Sequence, residues 1–288
     1  MDTYDIENIV SESSLSTISE ISTELDEFVY ELITSKCDNI DNLSKKLKRK
    51  YQLHPSKKDI SKIYNNKFSA TKITPKMQRW IVKKQMRSNS GVVVVTIVLA
   101  PNKFSCKYDC AYCPQETDLN NNPTQPRSYL SNEPAMLRAL ESNFDIKGQF
   151  NSRIQSYLIT GNIEKDQSSK IEVIFSGGTW DSYPKEYREQ VIRELYWAAN
   201  SVSNERPSKT LEEEISINET AQYRIIGFTL ETRPDNVTEE SIKDYRRWGV
   251  TRIQIGVQHF DDAILRSVNR KCYTYDTIKA IRLLNKRA

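Results

Sequence analysis

The chain has 288 residues, 38% hydrophobic and 28% charged, enough for one large core or two domains. It holds no run of about 18 apolar residues and opens MDTYDIENIV, so neither a membrane span nor a secretory signal is expected, and the reading is cytoplasmic. Five cysteines, three of them crowded together, argue against a disulfide scaffold, and the net charge of +4 conceals a strongly polarised chain.

Residues 1–22 are acidic and rich in Ser and Thr without hydrophobic period, which predicts a disordered tail. Over 1–40, ten acids face one base, Lys36; over 41–88, fifteen bases face only Asp41 and Asp59. From Thr23 onward, Leu25, Phe28, Val29, Leu32 and Ile33 recur at helical spacing. Short helices are expected at 41–51 and 56–64, which makes 23–88 a small basic helical domain. Its local excess of thirteen positive charges suits a polyanion, and equally a solvated lysine-rich face.

Gly91 opens VVVVTIVL, a β-branched run expected to form a strand buried on both faces. A loop, then a helix at 133–144 with Pro134 in its first turn, leads to a second buried strand at 171–175. A helix at 185–200 and a polar link at 201–221 precede a third strand at 224–231. The helix at 238–248 has Thr238 as N-cap and Gly249 as its stop. A fourth strand at 251–257 and helices at 261–267 and 276–287 close the chain. Four β-loop-α units imply an α/β fold over 89–288, with parallel strands and right-handed crossovers, open because four units do not close an eight-stranded barrel.

Cys106, Cys110 and Cys113 form C-x3-C-x2-C directly after the first strand, with Tyr112 before the last cysteine. Loops at the carboxyl ends of parallel strands are where such folds place their chemistry. Three clustered thiolates suit an iron–sulfur cluster or Zn²⁺. A closed zinc site needs a fourth ligand, yet His54 and His259 lack finger spacing and Cys37 and Cys272 are solitary. A [4Fe–4S] cubane on three thiolates leaves one iron open to chelate a substrate. The cluster is the preferred reading and zinc the alternative.

With these cysteines the sequence resembles the radical S-adenosylmethionine superfamily. The resemblance implies that the open iron binds the amino and carboxylate groups of S-adenosylmethionine, whose one-electron cleavage yields a 5′-deoxyadenosyl radical. It implies a partial (β/α) barrel, and it gives the loops after the other strands a role. Ser176, Gly177, Gly178 and Thr179 match segments that hold the methionine amine, and bare glycine backbone permits that close approach. Glu231 would accept hydrogen bonds from ribose hydroxyls, and Arg233 would pair bidentately with a carboxylate or, alternatively, pin its own loop. Gln258 faces the adenosyl group or serves as a structural amide, Tyr112 and Trp180 would line the pocket, and His259 is structural.

A closer resemblance covers about residues 24–288: DEFVYELI, NLSKKLKRKYQLHPSKKDI, KKQMRSNSG, RSYLSNEPAMLRA, SGGTW, FTLETRPD, RIQIGVQ and SVNRKCYTYDTIKA are similar to segments of the Elongator catalytic-subunit family, the tRNA wobble-uridine acetyltransferases. That implies a tRNA partner gripped through phosphates by Lys45, Lys46, Lys48, Arg49, Lys50, Lys83, Lys84 and Arg87. It also implies an anticodon-loop base offered to the radical site, with acetyl-CoA as co-substrate for carboxymethylation at carbon 5. The sequence ends at Ala288, so an acetyltransferase half, or Elongator-like subunits, is expected as partner. Three departures accompany the match: a shorter interval between Cys106 and Cys110, Pro114-Gln115-Glu116 in place of a glycine-rich continuation, and Lys271-Cys272 in place of glycine and histidine after Asn269-Arg270. The same residues also fit a different radical enzyme acting on RNA, or a tRNA-binding remnant without turnover.

Overall fold

The computed structural model describes residues 23–37, 39–81, 90–101, 106–164 and 167–287. The acidic segment 1–22 and the basic residues Lys83, Lys84 and Arg87 lie outside them. Two units form, one N-terminal to Ser90 together with 156–163, the other from 90–155 and 164–288.

The first unit contains helices α1 (Glu24–Thr34), α2 (Ile40–Tyr51), α3 (Lys57–Lys67) and α4 (Pro75–Ile81). Each of the first three starts where a short polar side chain can accept an orphan backbone N–H: Thr23, Asn39 and Ser56, the last in a capping box with Asp59. Phe28, Val29 and Leu32 of α1 are fully buried and share one core with Leu47, Ile60, Phe68 and Met77. On α2 the buried positions Ile40, Ser44 and Leu47 leave Lys45, Lys46, Arg49 and Lys50 exposed and Lys48 half-buried. Lys50 is held 2.5 Å from Glu31, whose carboxyl this contact, with the Tyr51 hydroxyl, draws below its ordinary value. Lys45, Lys46 and Arg49 are the other exposed bases of this helix.

The second unit is built on strands β1 (Val92–Val98), β2 (Ser169–Ser176), β3 (Tyr223–Thr232) and β4 (Arg252–Ile255), all parallel and in spatial order β1-β2-β3-β4. Helices α5 (Pro134–Glu141) and α6 (Ile146–Ile159) follow β1; α7 (Lys185–Ser201) and α8 (Leu211–Asn218) follow β2; α9 (Glu239–Arg247) follows β3; α10 (Asp262–Ser267) and α11 (Thr274–Arg287) follow β4. The four expected β-loop-α units are present. Thr238 caps α9 and Gly249, at φ +76°, stops it. Among the described residues no helix is long and apolar enough to cross a membrane.

Three details differ from the sequence expectation. Within β1, Val94 stays 36% exposed: the face carrying Val93, Val95 and Ile97 is buried, and the opposite face is less covered. The polar link 201–221 contains α8, which Thr210 and Glu213 start with a capping box. A bulge sits in β3: Ile171 faces Ile225 but Glu172 faces Gly227, so Ile226 is turned outward. That single extra residue sets the parity of all that follows, putting Phe228 and Leu230 into the core and Glu231 near the strand's carboxyl end.

Candidate active site

Because all four strands are parallel, their following loops gather at one end of the sheet. There an open pocket lies among these loops. Cys106, Cys110, Cys113 and Tyr112 line it from the first loop, Gly177, Gly178 and Thr179 from the second, Arg233 from the third, and Gly256 and Gln258 from the fourth. The structure thus brings together nine of the eleven residues that the motifs singled out. Glu231 and Ser176 stand beside the pocket rather than in its lining.

The cysteine loop is fastened from several sides. Arg127 donates to the Tyr108 carbonyl at 2.6 Å and pairs with Asp109. The Asn269 amide donates to the Asp109 carbonyl at 2.7 Å, and the Ala111 N–H to the Val268 carbonyl at 2.9 Å. A turn closed from the Cys113 N–H to the Cys110 carbonyl, 3.0 Å, sets the last two thiols. Cys110 is buried, its sulfur 3.9 Å from an Arg233 nitrogen and 4.0 Å from one of Arg270. The Cys113 sulfur is 2.8 Å from the Ser128 hydroxyl.

The second loop reaches this cradle only because it lacks side chains. A Cβ on Gly178 would fall 2.9 Å from the Arg127 carbonyl oxygen, and one on Gly177 would press on Leu99. Just beyond, Asp181 accepts from Thr232 and Tyr245 hydroxyls, both at 2.6 Å, and pairs with Arg188 at 2.7 Å. This node ties the second loop to the end of β3. Burial pushes the Asp181 carboxyl up, and those three donors oppose the shift.

Arg233 is buried, but its fork closes on Asp235 at 2.9 and 3.2 Å within its own loop. It also donates to the Arg270 carbonyl at 3.0 Å and lies 3.8 Å from the centre of the Tyr108 ring. Burial pushes Asp235 up; the Arg233 guanidinium more than reverses this and leaves the carboxyl below its ordinary range. The bidentate pairing expected of Arg233 is therefore made internally, the loop-pinning alternative. Of the three arginines lining the pocket, Arg270 is the one without a carboxylate partner among the described residues: it is 5% exposed, one terminal nitrogen donates to the Gly256 carbonyl at 2.5 Å, the other lies 4.0 Å from the Cys110 sulfur, and its Nε is unpartnered. Glu231 accepts the Tyr129 hydroxyl at 2.5 Å; burial raises its carboxyl, and hydrogen bonds from Tyr129 and Ser176 pull it back.

The sequence model of the Radical SAM superfamily matches residues 104–288. The chain belongs to the radical SAM superfamily. Among its relatives, the tRNA uridine(34) acetyltransferase of Methanocaldococcus infernus is 37% identical over 80% of this chain and 40% of its own length. The Elongator complex protein 3 of Schizosaccharomyces pombe is 29% identical over 88% of this chain and 46% of its own. The solved archaeal Elp3 of M. infernus, with an N-terminal deletion, has a TM-score of 0.49 and 31% identity over 66% of this chain and 34% of its own. This radical SAM chain thus spans less than half the length of these relatives.

Superfamily membership implies a [4Fe–4S] cluster and S-adenosylmethionine, and the donor set fits them. Three thiols line one pocket, and two guanidinium groups stand beside the Cys110 sulfur. The thiols are not closed as ligands: among the described residues no three of His, Cys, Asp and Glu stand where they would hold a metal ion. Trp180, expected in the pocket, is core instead; the short turn Trp180–Ser182 packs its ring 5.4 Å from Phe175 and 5.8 Å from Trp248. His259 is exposed and accepts the Asp261 N–H at 2.9 Å, a structural contact. Sequence reasoning gave no role to Arg270, Ser128 or Tyr129, although RSYLSNEPAMLRA and SVNRKC had both been noted. Only the fold reveals which of their side chains face the cysteines.

Proposed function

We propose that this chain is the radical module of a tRNA-modifying enzyme acting at carbon 5 of the wobble uridine with an acetyl-CoA-derived carbon. The observation that carries the reading is the meeting of three cysteines with the glycine loop in one pocket at the carboxyl ends of parallel strands. The names of the relatives support the tRNA substrate and the wobble position.

When bound, the cluster and S-adenosylmethionine supply hydrogen-abstracting radical chemistry, and the protein's part is to hold, orient and shield. Cys106, Cys110 and Cys113 would hold the cluster. Gly177 and Gly178 would offer backbone to the methionine amine, and Arg270, charged and without a carboxylate of its own, would pair with the methionine carboxylate. Glu231 would accept the ribose hydroxyls and Gln258 would face the adenosyl group. Arg233, saturated by Asp235, fixes the loop that keeps Arg270 in place. Lys45, Lys46 and Arg49 would meet tRNA phosphates, an interaction that weakens steeply with salt.

The test is anaerobic reconstitution with iron and sulfide, then dithionite and S-adenosylmethionine, with 5′-deoxyadenosine as the product measured. Formation that rises with tRNA, and that vanishes with iron loading in Cys106→Ala, Cys110→Ala and Cys113→Ala, is the expected result. A loaded cluster without cleavage would favour a chain that binds tRNA without turnover.

A further inference from the structure

We propose that Ser128 is a tuning residue that donates its hydroxyl to Cys113 and thereby raises the reduction potential of the cluster the three cysteines hold. The inference rests on the cluster assignment above. Its first ground is the 2.8 Å separation of the Ser128 oxygen from the Cys113 sulfur. A ligating cysteine is a thiolate with no proton to give, so in the loaded site the serine must be the donor.

The second ground is backbone. Ser128 has φ +83°, a conformation that costs a residue with a Cβ about 1–2 kcal/mol and glycine almost nothing. A turn alone would be better served by glycine. The strained geometry is held on both sides: the Ser128 N–H donates to the Pro114 carbonyl at 3.0 Å, and Arg127 is anchored to Tyr108 and Asp109. Gly178 leaves room for the Arg127 carbonyl, so the second loop is shaped to accept this turn. Strain that surrounding contacts maintain, at a residue pointing its polar atom at a ligand sulfur, is strain with a use.

Hydrogen bonds to cluster sulfurs stabilise the more negatively charged state and move the potential upward. The step is the uptake of one electron from an external one-electron reductant, dithionite in the assay. No bond breaks and the hydroxyl proton remains on Ser128.

Wild type, Ser128→Ala and Ser128→Gly are reconstituted anaerobically, assayed for iron and sulfide per chain, and titrated with dithionite and mediators under electron paramagnetic resonance. Both variants lose the hydroxyl, but only glycine relieves the backbone. Full loading in all three, with the same shift to lower potential in both variants, is expected. Potentials equal to wild type would overturn the proposal, and so would a shift in Ser128→Gly alone, which would trace it to the backbone rather than to the hydroxyl. Wild type that loads while both variants stay empty would make Ser128 an assembly residue and overturn tuning. Wild type that takes up no iron and sulfide would overturn the cluster assignment itself, which the metal analysis reads before any potential.

Discussion

Replacing Gly178 by alanine tests the close approach of the second loop to Arg127, and Gly91 provides the control within the same unit. Gly178 has φ +83° and its added Cβ would sit 2.9 Å from a backbone oxygen; Gly91 has φ +72° and nothing within 4 Å of such a Cβ. Both alanines incur the left-handed cost of about 1–2 kcal/mol, offset by about 0.4–1 kcal/mol from a less free unfolded chain. Only Gly178→Ala adds overlap with main chain that cannot swing aside, on the order of 1–3 kcal/mol. The expected losses are about 1 kcal/mol for Gly91→Ala and about 2–4 kcal/mol for Gly178→Ala. Urea unfolding followed by tryptophan fluorescence measures both, since Trp180 and Trp248 are buried in this unit. At roughly 2–4 °C per kcal/mol, the two melting points should differ by roughly 2–12 °C. Equal losses would refute the reasoning, because the two sites differ in the clash and not in φ. Gly178→Ala should also weaken S-adenosylmethionine binding to reconstituted protein, and Gly91→Ala should leave it unchanged.

Two further outcomes are expected. Glu214 is fully buried and held by both arms of Arg206, at 2.8 and 2.6 Å, by Asn200 and by the Lys209 N–H. Burial alone would raise its carboxyl, but these donors hold it below the ordinary value, so its contribution is complete above that value and lost as pH falls through the lowered one. Glu214→Gln should cost about 2 kcal/mol near neutrality and flatten the acid limb of stability against pH; an unchanged acid limb in urea titrations would contradict this. Tyr129→Phe removes the hydroxyl that favours ionised Glu231, so its carboxyl should rise further and S-adenosylmethionine binding should set in at higher pH. A hydrogen bond of about 1 kcal/mol corresponds to roughly fivefold weaker binding on the acid side, and superimposable calorimetric pH profiles would exclude it.

Much of the fold was legible because its signals are local. β-branched runs marked β1 to β4, Thr238 and Gly249 bracketed α9, and the cysteine spacing announced the site. What failed was long-range or a matter of facing. Trp180 follows Thr179 in sequence, but the short turn that begins with it rotates its ring into the core. For Arg233 the sequence left two readings open, a ligand partner or a loop pin, and only the fold shows Asp235, two residues on, closed over it. Arg270 lies 160 residues from Cys110, and no sequence period relates positions that meet only through the order of parallel strands. Helix α8 could have been found, since Thr210 and Glu213 spell its capping box, but polar composition masked it.

The fastening of the cysteine loop sets a time order on its making. Val268, Asn269 and Arg270 clasp the loop at Ala111, Asp109 and Cys110, so the thiols leave the ribosome long before the residues that hold them. At about 5–20 residues per second, the interval is on the order of ten seconds or more. Throughout it the nascent chain presents three neighbouring thiols on a segment for which only the nearby Arg127 and Ser128 contacts have been synthesised.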